Sequence, residues 1–483
     1  MHFGTIQRII GILLALFSIT LLPSVIVDLI YGERAVSAFF NSFIILLGTG
    51  ALLYLPVRNT KDDLRLRDGF LVVVLFWVVL CVAGALPFYF YEPLNISLTD
   101  ALFESVSGLT TTGATVLTGL DDMPHGILFY RQLLQWLGGM GIIVLAVAIM
   151  PMLGVGGMQL YKAETPGPVK DSKLTPRIAE TAKALWFLYM ILSLVCALSY
   201  YLAGMSLFDA ICHAFSTVAI GGFSTHDASL GYYDSVYIEG VAIVFMFLGG
   251  VNFALHFAVA RTRSFSIYST DAEFKTYTFV LLVAVILVTG YLYHVQVYPG
   301  FTETFRQSLF HAVSIGTTTG FVISDFSAWP TFAPVLLIFA SFVGGCAGST
   351  GGGMKAIRFL LLLKQLQREL TRLIHPNASV IVKIGRQPVD NKVIDAVWGF
   401  FAAYVAVFVL GMLVMMMSGM DQITSFTAVA ATINNLGPGL GDVSANYASL
   451  PDYDKWALCF LMILGRLEIF TLLVLFSPAF WRK

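Results

Sequence analysis

Four short polar segments with a central glycine interrupt the long apolar runs of this sequence. A single loop of this kind is typical of a helix C-terminus. Four at nearly constant spacing predict one supersecondary unit repeated four times. Their aligned glycines, Gly113, Gly222, Gly320 and Gly437, follow one another by 109, 98 and 117 residues. The segments are LTTTGAT at Leu109–Thr115, AIGGFST at Ala219–Thr225, TTTGFVI at Thr317–Ile323 and NNLGPGL at Asn434–Leu440.

Loops of this composition can bind a cation through their backbone when they converge on one axis. A ring of carbonyl oxygens then replaces the hydration shell of the ion. Glycine adopts positive φ without strain, which turns a carbonyl toward the ion. Because Ile220 and Leu436 have apolar side chains, the ligands must come from the main chain, which suits a hard monovalent cation. The predicted ligands are the carbonyl groups just before the glycines, those of Thr111, Thr112, Ile220, Gly221, Thr318, Thr319, Asn435 and Leu436.

The short, partly polar stretch before each loop predicts a pore helix. The C-terminus of a helix carries a partial negative charge, which favours a cation close to that end. The four loops differ in sequence, so the ring has only approximate fourfold symmetry. The segment Asn435–Pro438 departs furthest from the threonine pattern of the other loops. Fewer well-defined ion sites and looser discrimination are expected than in a symmetric filter.

The composition places these loops in a membrane. The chain has 483 residues, of which 57% are hydrophobic and 12% are charged. A soluble chain carries roughly twice that charged fraction, and apolar stretches of spanning length recur throughout. The sequence therefore predicts an all-α polytopic membrane protein. Four helix/pore-loop/helix units surround one central pore, and two transmembrane helices precede them.

The apolar runs predict where each unit begins and ends. The inner runs of repeats 2 and 4, Tyr237–Ala260 and Trp456–Phe480, are expected as uninterrupted helices, whereas that of repeat 3, Phe332–Ile374, is interrupted. The predicted division is residues 1–68 for the N-terminal pair, then 69–165, 166–265, 266–390 and 391–483 for repeats 1 to 4.

The distribution of basic residues predicts the orientation in the bilayer. The termini and the segments between repeats carry 23 of the 28 lysines and arginines, and the loop side carries four. The positive-inside rule therefore predicts that both termini are cytoplasmic. The opposite face carries 17 acidic residues, whose negative potential concentrates cations around the pore mouth.

Two features below the loops are candidates for a gate. The run from Gly344 to Gly353 interrupts the third inner helix and lacks the GK[ST] ending of a phosphate-binding loop. It favours a flexible intramembrane loop that obstructs the pore, with close small-residue packing as the alternative. The candidate gate glycines are Gly345, Gly348, Gly351, Gly352 and Gly353.

Arg466 lies near the middle of the last apolar run. Burial of a cation there costs about 2.5–3.5 kcal/mol, so the side chain is expected to face the helix bundle. A positive charge below the loops would raise the barrier to cations. The alternative is a structural salt bridge, for which Glu468 is a poor partner because residues two apart on a helix do not face each other.

These motifs together resemble the Trk/Ktr/HKT potassium transporters over the whole chain. The resemblance implies low-affinity K⁺ uptake across the bacterial inner membrane, a homodimer and a TrkA-like cytoplasmic nucleotide-binding subunit, with K⁺ as the transported ion. It also supports the gate assignment. The motifs are GLTTTGAT at 108–115, AIGGFSTHD at 219–227, TTTGF at 317–321, GGCAGSTGGGMK at 344–355, NNLGPGLG at 434–441 and GRLEIFTLL at 465–473.

Other functions remain open or are excluded. A K⁺ symporter coupled to H⁺ or Na⁺ would show a carboxylate on the ion path, and Glu468 is the candidate in the inner halves of the spans. The ion-binding subunit of an ATP-driven pump would obtain ATP hydrolysis from a partner, since no DKTGT or Walker motif occurs. No paired carboxylates or nucleophile constellation supports an enzyme, and neither an organic cofactor nor a nucleic-acid partner is expected.

Overall fold

The computed structural model describes residues 1–60, 65–148, 178–385 and 387–482. Regular structure in these ranges is almost entirely α-helical. The two-residue strands Lys383–Ile384 and Gln387–Pro388 pair in antiparallel fashion on the segment between repeats 3 and 4. By length and composition, six of the described helices can cross a membrane, or eight if each of two bent pairs is one span.

The N-terminal pair consists of two antiparallel spans. The first is formed by the consecutive helices Phe3–Ile19 and Leu22–Tyr31, and the second contains the helix Val36–Tyr54. Gly11 and Gly50 bring the two spans into backbone contact. A Cβ on Gly11 would lie 2.8 Å from the Gly50 carbonyl oxygen, and a Cβ on Gly50 would lie 2.7 Å from that of Gly11.

Each of the four following units contains an outer helix, a short pore helix and an inner helix. Outer helices 1 to 4 are Leu66–Phe90, Ile178–Leu202, Ala272–Val295 and Asn391–Met417. Pore helices 1 to 4 are Leu98–Leu109, Leu207–Ala219, Phe301–Gly316 and Gln422–Ile433. Inner helices 1 to 4 begin with His125–Ala148, Val236–Gly249, Phe332–Val343 and Asp452–Arg466. The predicted fold class is confirmed, while the boundary at 165/166 lies outside the described residues.

Polar residues begin three of the pore helices. The side chains of Ser97, Ser206 and Asp421 accept hydrogen bonds from backbone N–H groups of the first turn, which satisfies donors that have no partner within the helix. These caps hold the start of pore helices 1, 2 and 4, and pore helix 3 begins after Gly300 without a side-chain cap.

The expectation of uninterrupted inner helices in repeats 2 and 4 is wrong. Inner helix 2 bends by 95° before it continues as Phe253–Thr262, and inner helix 4 bends by 115° before Phe470–Phe476. The Asn252 side chain caps the new helix in repeat 2. In repeat 4 the break contains Glu468 and Ile469, both with positive φ. Inner helix 3 is interrupted as predicted and resumes as Ala356–Ile374.

Glycines in the inner helices allow close contact with the ends of the pore helices. A Cβ on Gly138 would overlap the carbonyl of Leu109, and one on Gly465 would overlap that of Ile433. A Cβ on Gly249 would lie 3.1 Å from the carbonyl oxygen of Val218. The three contacts lie at corresponding places of three repeats, so the inner helices support the pore helices where the pore loops begin.

Candidate functional site

The four pore loops, which follow the pore helices, meet in a closed ring. The glycine of each loop packs against the carbonyl oxygen that precedes the glycine of the next loop, too closely to admit a Cβ. The fourth loop thus contacts the first, which closes the ring. The contacts of this glycine–carbonyl ring join Gly113 to Gly221, Gly222 to Thr319, Gly320 to Leu436 and Gly437 to Thr112.

Every pore helix ends in the same hydrogen-bonded turn. In each turn one residue is left-handed, its N–H bonds to the carbonyl three residues back, and the next N–H bonds to the carbonyl five residues back. This is a Schellman motif, in which the left-handed position is usually glycine. Here it is occupied by Thr111, Ile220, Thr318 and Asn435, with φ of +55°, +55°, +70° and +53°.

Left-handed backbone is costly for these residues. A non-glycine residue in this region carries about 1–3 kcal/mol of strain, most of all when it is β-branched. The ring glycines follow two positions later with φ of +81°, +77°, +84° and +97°. The sequence therefore predicted positive φ at the glycines but missed it at the preceding positions. Threonine and isoleucine do not signal this conformation, and Asn435 is the one residue of the four whose type favours it.

Side-chain hydrogen bonds brace the loops. The hydroxyls of Thr110 and Thr112 lie 2.8 Å apart in loop 1, and those of Thr317 and Thr319 lie 2.7 Å apart in loop 3. In loop 4, the Asn435 amide nitrogen donates to Thr112 Oγ1 at 3.0 Å and to the carbonyl of Met462 at 2.9 Å. Asn435, which departs from the threonine pattern, thus joins loop 4 to loop 1.

The neighbouring Asn434 has a similar bracing role. Its side-chain oxygen accepts a hydrogen bond from the Tyr404 hydroxyl, and its amide nitrogen donates to Ser341 Oγ at 3.0 Å. Because Tyr404 lies on outer helix 4 and Ser341 on inner helix 3, this contact ties the end of pore helix 4 to two neighbouring spans.

A vestibule of about 450 Å³ opens on one side of the ring. It is lined by the four ring glycines and also by Arg131, Asp227 and Asp325. Arg131 is buried and its Nε donates to Glu104 at 2.7 Å, so its charge is balanced locally. The two aspartates therefore contribute negative potential at the entrance, which attracts cations.

His226 lies at the same vestibule. Its Nδ1 is 2.5 Å from Asp121 Oδ1, its Nε2 is 3.7 Å from Asp209 Oδ1, and its ring stacks on Tyr232 with centroids 3.5 Å apart. Burial lowers the pKa of His226, but the carboxylates of Asp209 and Asp121 outweigh burial and raise it above its ordinary value. A protonated His226 therefore clamps three segments around the entrance.

On the other side of the ring lies the glycine-rich segment, residues 344–355. The Gly352 N–H donates to Thr318 Oγ1 at 2.7 Å, and the Gly353 N–H donates to the Asn434 carbonyl at 3.0 Å. Thr350 Oγ1 donates to the Val218 carbonyl at 2.8 Å. The segment therefore touches the ends of pore helices 2 and 4 and pore loop 3, directly beneath the ring.

The remaining candidate gate glycines lie in the same segment. A Cβ on Gly345 would lie 3.2 Å from the Gly250 carbonyl oxygen, and one on Gly351 would lie 3.1 Å from that of Thr317. Gly348 has a φ of +72°, and its carbonyl accepts the Phe253 N–H at 3.0 Å. The glycines thus let the segment pack tightly against the backbone.

Two charged side chains, Glu273 and Lys355, hold this segment and the start of the helix that follows it. The Glu273 carboxylate accepts the N–H groups of Ala347 at 2.6 Å and Ile357 at 3.2 Å. Lys355 Nζ donates to the Gly351 carbonyl. Glu273 was not singled out in the sequence, because its partners are backbone groups more than 70 residues away.

Arg466 joins the glycine-rich segment to inner helix 1. Its Nη1 donates to the Thr350 carbonyl at 3.1 Å, and its Nη2 donates to the Gly138 carbonyl at 2.5 Å. Glu468 forms its ion pair with Arg358. Arg466 therefore lies inside the bundle beneath the ring and links parts of repeats 1, 3 and 4.

The described residues contain no group of three or more His, Cys, Asp or Glu side chains able to hold a metal ion. The arrangement combines four packed main-chain loops, a vestibule with acidic residues on one side and the glycine-rich segment on the other. Main-chain oxygens in such a ring are the type of ligand that can replace the hydration shell of a cation.

Comparisons with known proteins agree with this architecture. The family model described as "TrkH: Cation transport protein" matches residues 35–483. The sequence is 54% identical over 483 residues to the Trk system potassium uptake protein TrkH of Salmonella typhimurium, covering 100% of both chains. It is 42% identical over 482 residues to the Trk system potassium uptake protein TrkG of Escherichia coli K12, covering 100% of this chain and 99% of the relative.

A solved structure is similar over the same length. The crystal structure of the potassium transporter TrkH from Vibrio parahaemolyticus matches with a TM-score of 0.91 and 53% sequence identity, and 100% of both chains is covered. The chain therefore belongs to the TrkH family of cation transport proteins.

Proposed function

We propose that this chain carries K⁺ across the membrane through the glycine–carbonyl ring. The observation that carries the proposal is the closure of the ring, in which each loop contacts the next and the fourth contacts the first. Closed packing of four carbonyls around one axis supplies oxygen ligands in place of water. The names of the relatives, which are potassium uptake proteins, support K⁺ as the ion.

The ligands in this proposal are the carbonyls of two successive levels. One level comprises the ring residues Thr112, Gly221, Thr319 and Leu436, and the other comprises the left-handed residues Thr111, Ile220, Thr318 and Asn435. Positive φ recurs in each loop, first at the left-handed residue and again at the ring glycine two positions later, and in this proposal the carbonyls of both levels face one pore. The filter glycines Gly113, Gly222, Gly320 and Gly437 allow this geometry without a clashing Cβ.

The gate in this proposal is the glycine-rich segment together with Arg466. The segment lies beneath the ring and is bonded to three repeats. Arg466 locks it to inner helix 1 and places a positive charge near the ion path. Opening requires that these bonds break and the segment withdraw.

The charge pattern supports the proposed orientation in the membrane, and the resemblance to the Trk/Ktr/HKT transporters supports the proposed partners. The basic segments between repeats would face the cytoplasm, with both termini on that side of the bacterial inner membrane. A homodimer and a TrkA-like nucleotide-binding subunit would complete a low-affinity Trk-type system. The division into an N-terminal pair and four repeats at the boundaries predicted from the sequence is part of this proposal.

The test is ion flux with purified protein in liposomes. Under a set K⁺ gradient, flux that follows only the electrochemical gradient of K⁺ supports conduction. Uphill K⁺ accumulation driven by a gradient of H⁺ or Na⁺ would instead indicate symport. Two carboxylates of the described residues lie beneath the ring, and both already have partners: Glu468 pairs with Arg358, and Glu273 accepts two backbone N–H groups. This favours conduction over symport. A requirement for ATP even under a favourable K⁺ gradient would indicate a pump subunit.

A further inference from the structure

Gln135 makes a direct hydrogen bond to the glycine–carbonyl ring. This residue lies on inner helix 1 and is fully buried. Its side-chain nitrogen donates to the Gly221 carbonyl at 2.6 Å. Its side-chain oxygen accepts the Phe223 N–H at 3.1 Å. Because a backbone N–H requires an acceptor, the Phe223 contact fixes the orientation of the amide, and the nitrogen must face Gly221.

The other repeats do not reproduce this contact. In repeats 1, 2 and 4 the comparison uses the inner-helix glycine that packs against the end of the pore helix, and in repeat 3 it uses Gly344, which directly follows the inner helix. The residues three positions before Gly138, Gly249, Gly344 and Gly465 are Gln135, Met246, Ser341 and Met462. Methionine has no N–H donor in its side chain. The Ser341 hydroxyl donates to the Ile338 carbonyl and accepts from Asn434. Among the described residues at this position, Gln135 is thus the side chain that donates to a ring carbonyl.

One turn earlier on the same helix face, Arg131 supports the same loop. Its Nη1 donates to the Ser224 carbonyl at 3.0 Å, and its Nη2 donates to Thr115 Oγ1 at 3.2 Å. It is itself held by the buried Glu104. Arg131 and Gln135 therefore hold pore loop 2 on both sides of Phe223, and Gln135 acts on the ring itself.

A hydrogen bond to a carbonyl oxygen changes how that oxygen binds a cation. The Gln135 N–H withdraws electron density from the Gly221 carbonyl oxygen, which weakens the attraction of that oxygen for an ion. The same hydrogen bond limits movement of pore loop 2. A weaker, fixed dipole discriminates against the smaller cation, since dehydration of Na⁺ requires more compensation than dehydration of K⁺. One physical account of K⁺/Na⁺ selectivity rests on the number and field strength of the coordinating carbonyl dipoles.

We propose that Gln135 is a positioning residue that sets the K⁺/Na⁺ preference of the pore by its hydrogen bond to the Gly221 carbonyl. This inference rests on the proposed function. It adds a determinant outside the pore loops and explains why one of the four repeats has a glutamine where two others have methionine.

The experiment replaces Gln135 by the residue of repeats 2 and 4. Gln135→Met keeps a long side chain but removes the donor. The matched control is Gln132→Met, since Gln132 is equally buried on the same helix and contacts Ser216 of pore helix 2 rather than a pore loop. The readouts are the K⁺/Na⁺ permeability ratio in liposomes, K⁺ flux without Na⁺, and the thermal unfolding midpoint.

We expect the permeability ratio of Gln135→Met to fall about fivefold, which corresponds to one net hydrogen bond of about 1 kcal/mol. Its K⁺ flux without Na⁺ should stay within about twofold of the parent. The ratio of Gln132→Met should equal that of the parent. Loss of stability alone would not change a ratio measured on folded protein, so the ratio separates ion choice from packing.

Equal ratios for Gln135→Met and the parent would overturn the inference, and K⁺ selectivity of the parent would leave the proposed function intact. A parent protein that carries no K⁺ in preference to Na⁺ would instead contradict the proposed function. Gln135→Ser, which introduces the residue of repeat 3, is the second variant. Failure of both variants to fold would assign Gln135 to stability and would also overturn the inference.

Discussion

Substitution of the last ring glycine tests the geometry on which the proposed pathway depends. Gly437 has a φ of +97°, and a Cβ there would lie 2.6 Å from the Thr112 carbonyl oxygen. Ordinary contact begins at 3.4 Å. In Gly437→Ala, loop 4 or loop 1 must therefore move by about 0.8 Å. That displacement exceeds the difference in radius between K⁺ and Na⁺.

The substitution also lowers stability. The left-handed backbone costs alanine about 1–3 kcal/mol, the displaced backbone contact costs about 1–3 kcal/mol more, and the restricted unfolded chain offsets about 0.4–1 kcal/mol. The permeability ratio is therefore measured on the protein that purifies folded. The K⁺/Na⁺ permeability ratio in liposomes should collapse toward unity, because one quarter of the ring is displaced.

Two control glycines separate the effect of backbone strain from the effect of the clash with a neighbouring loop. Gly119 has a φ of +72° with nothing within 4 Å of a Cβ, so Gly119→Ala introduces strain without a clash. Gly290 has neither feature, so Gly290→Ala introduces neither and should stabilise outer helix 3 by up to about 1 kcal/mol. Both variants should keep the parent ratio. If Gly437→Ala also kept it, the carbonyl ring would not be where ions are selected.

Two further predictions concern the gate and the entrance. Arg466→Ala removes hydrogen bonds worth about 1.5–3 kcal/mol and should raise basal K⁺ flux at least about tenfold. The control is Arg372→Ala, which removes a half-exposed ion pair with Glu369 and should leave the flux unchanged. An unchanged or lower flux in Arg466→Ala would remove Arg466 from the gate. Because the pKa of His226 is raised in the folded protein by Asp209 and Asp121, its protonated form stabilises the fold at low pH, and this stability is lost as pH rises through the raised pKa. Thermal unfolding between about pH 6 and about pH 9 should therefore show a smaller decline in His226→Gln than in the parent, and parallel curves would contradict the clamp.

The architecture was predictable because its signals are local in the chain. Apolar runs of spanning length predict helices in any membrane protein, and the interval between polar loops reveals the repeat. Arg466 stands out because a charge in an apolar run is rare. The roles of the pore loops and of Arg466 in conduction stay predictions.

The missed features depend on contacts between repeats. Ile220 is an unexpected left-handed residue. Its strain is offset by burial of its side chain and by the hydrogen bonds of the turn, from Ile220 N–H to Thr217 and from Gly221 N–H to Ser216. The bend after Gly249 was missed because the run is apolar as a whole, although Gly250 and the capping residue Asn252 mark the break. In the sequence, nothing distinguishes Gln135 from the other polar residues of inner helix 1. The structure places it against Gly221, 86 residues away.

By itself, the sequence determined the number of repeats, the positions of the four polar loops and the segregation of charge, since hydrophobic periodicity and residue type act within one segment. Only the tertiary structure decided which carbonyl each glycine faces, where the inner helices bend and what Arg466, Gln135 and Glu273 bind. Those outcomes arise from packing between segments about 100 residues apart, where a missing Cβ or a single hydrogen-bond donor matters only once its neighbour is in place.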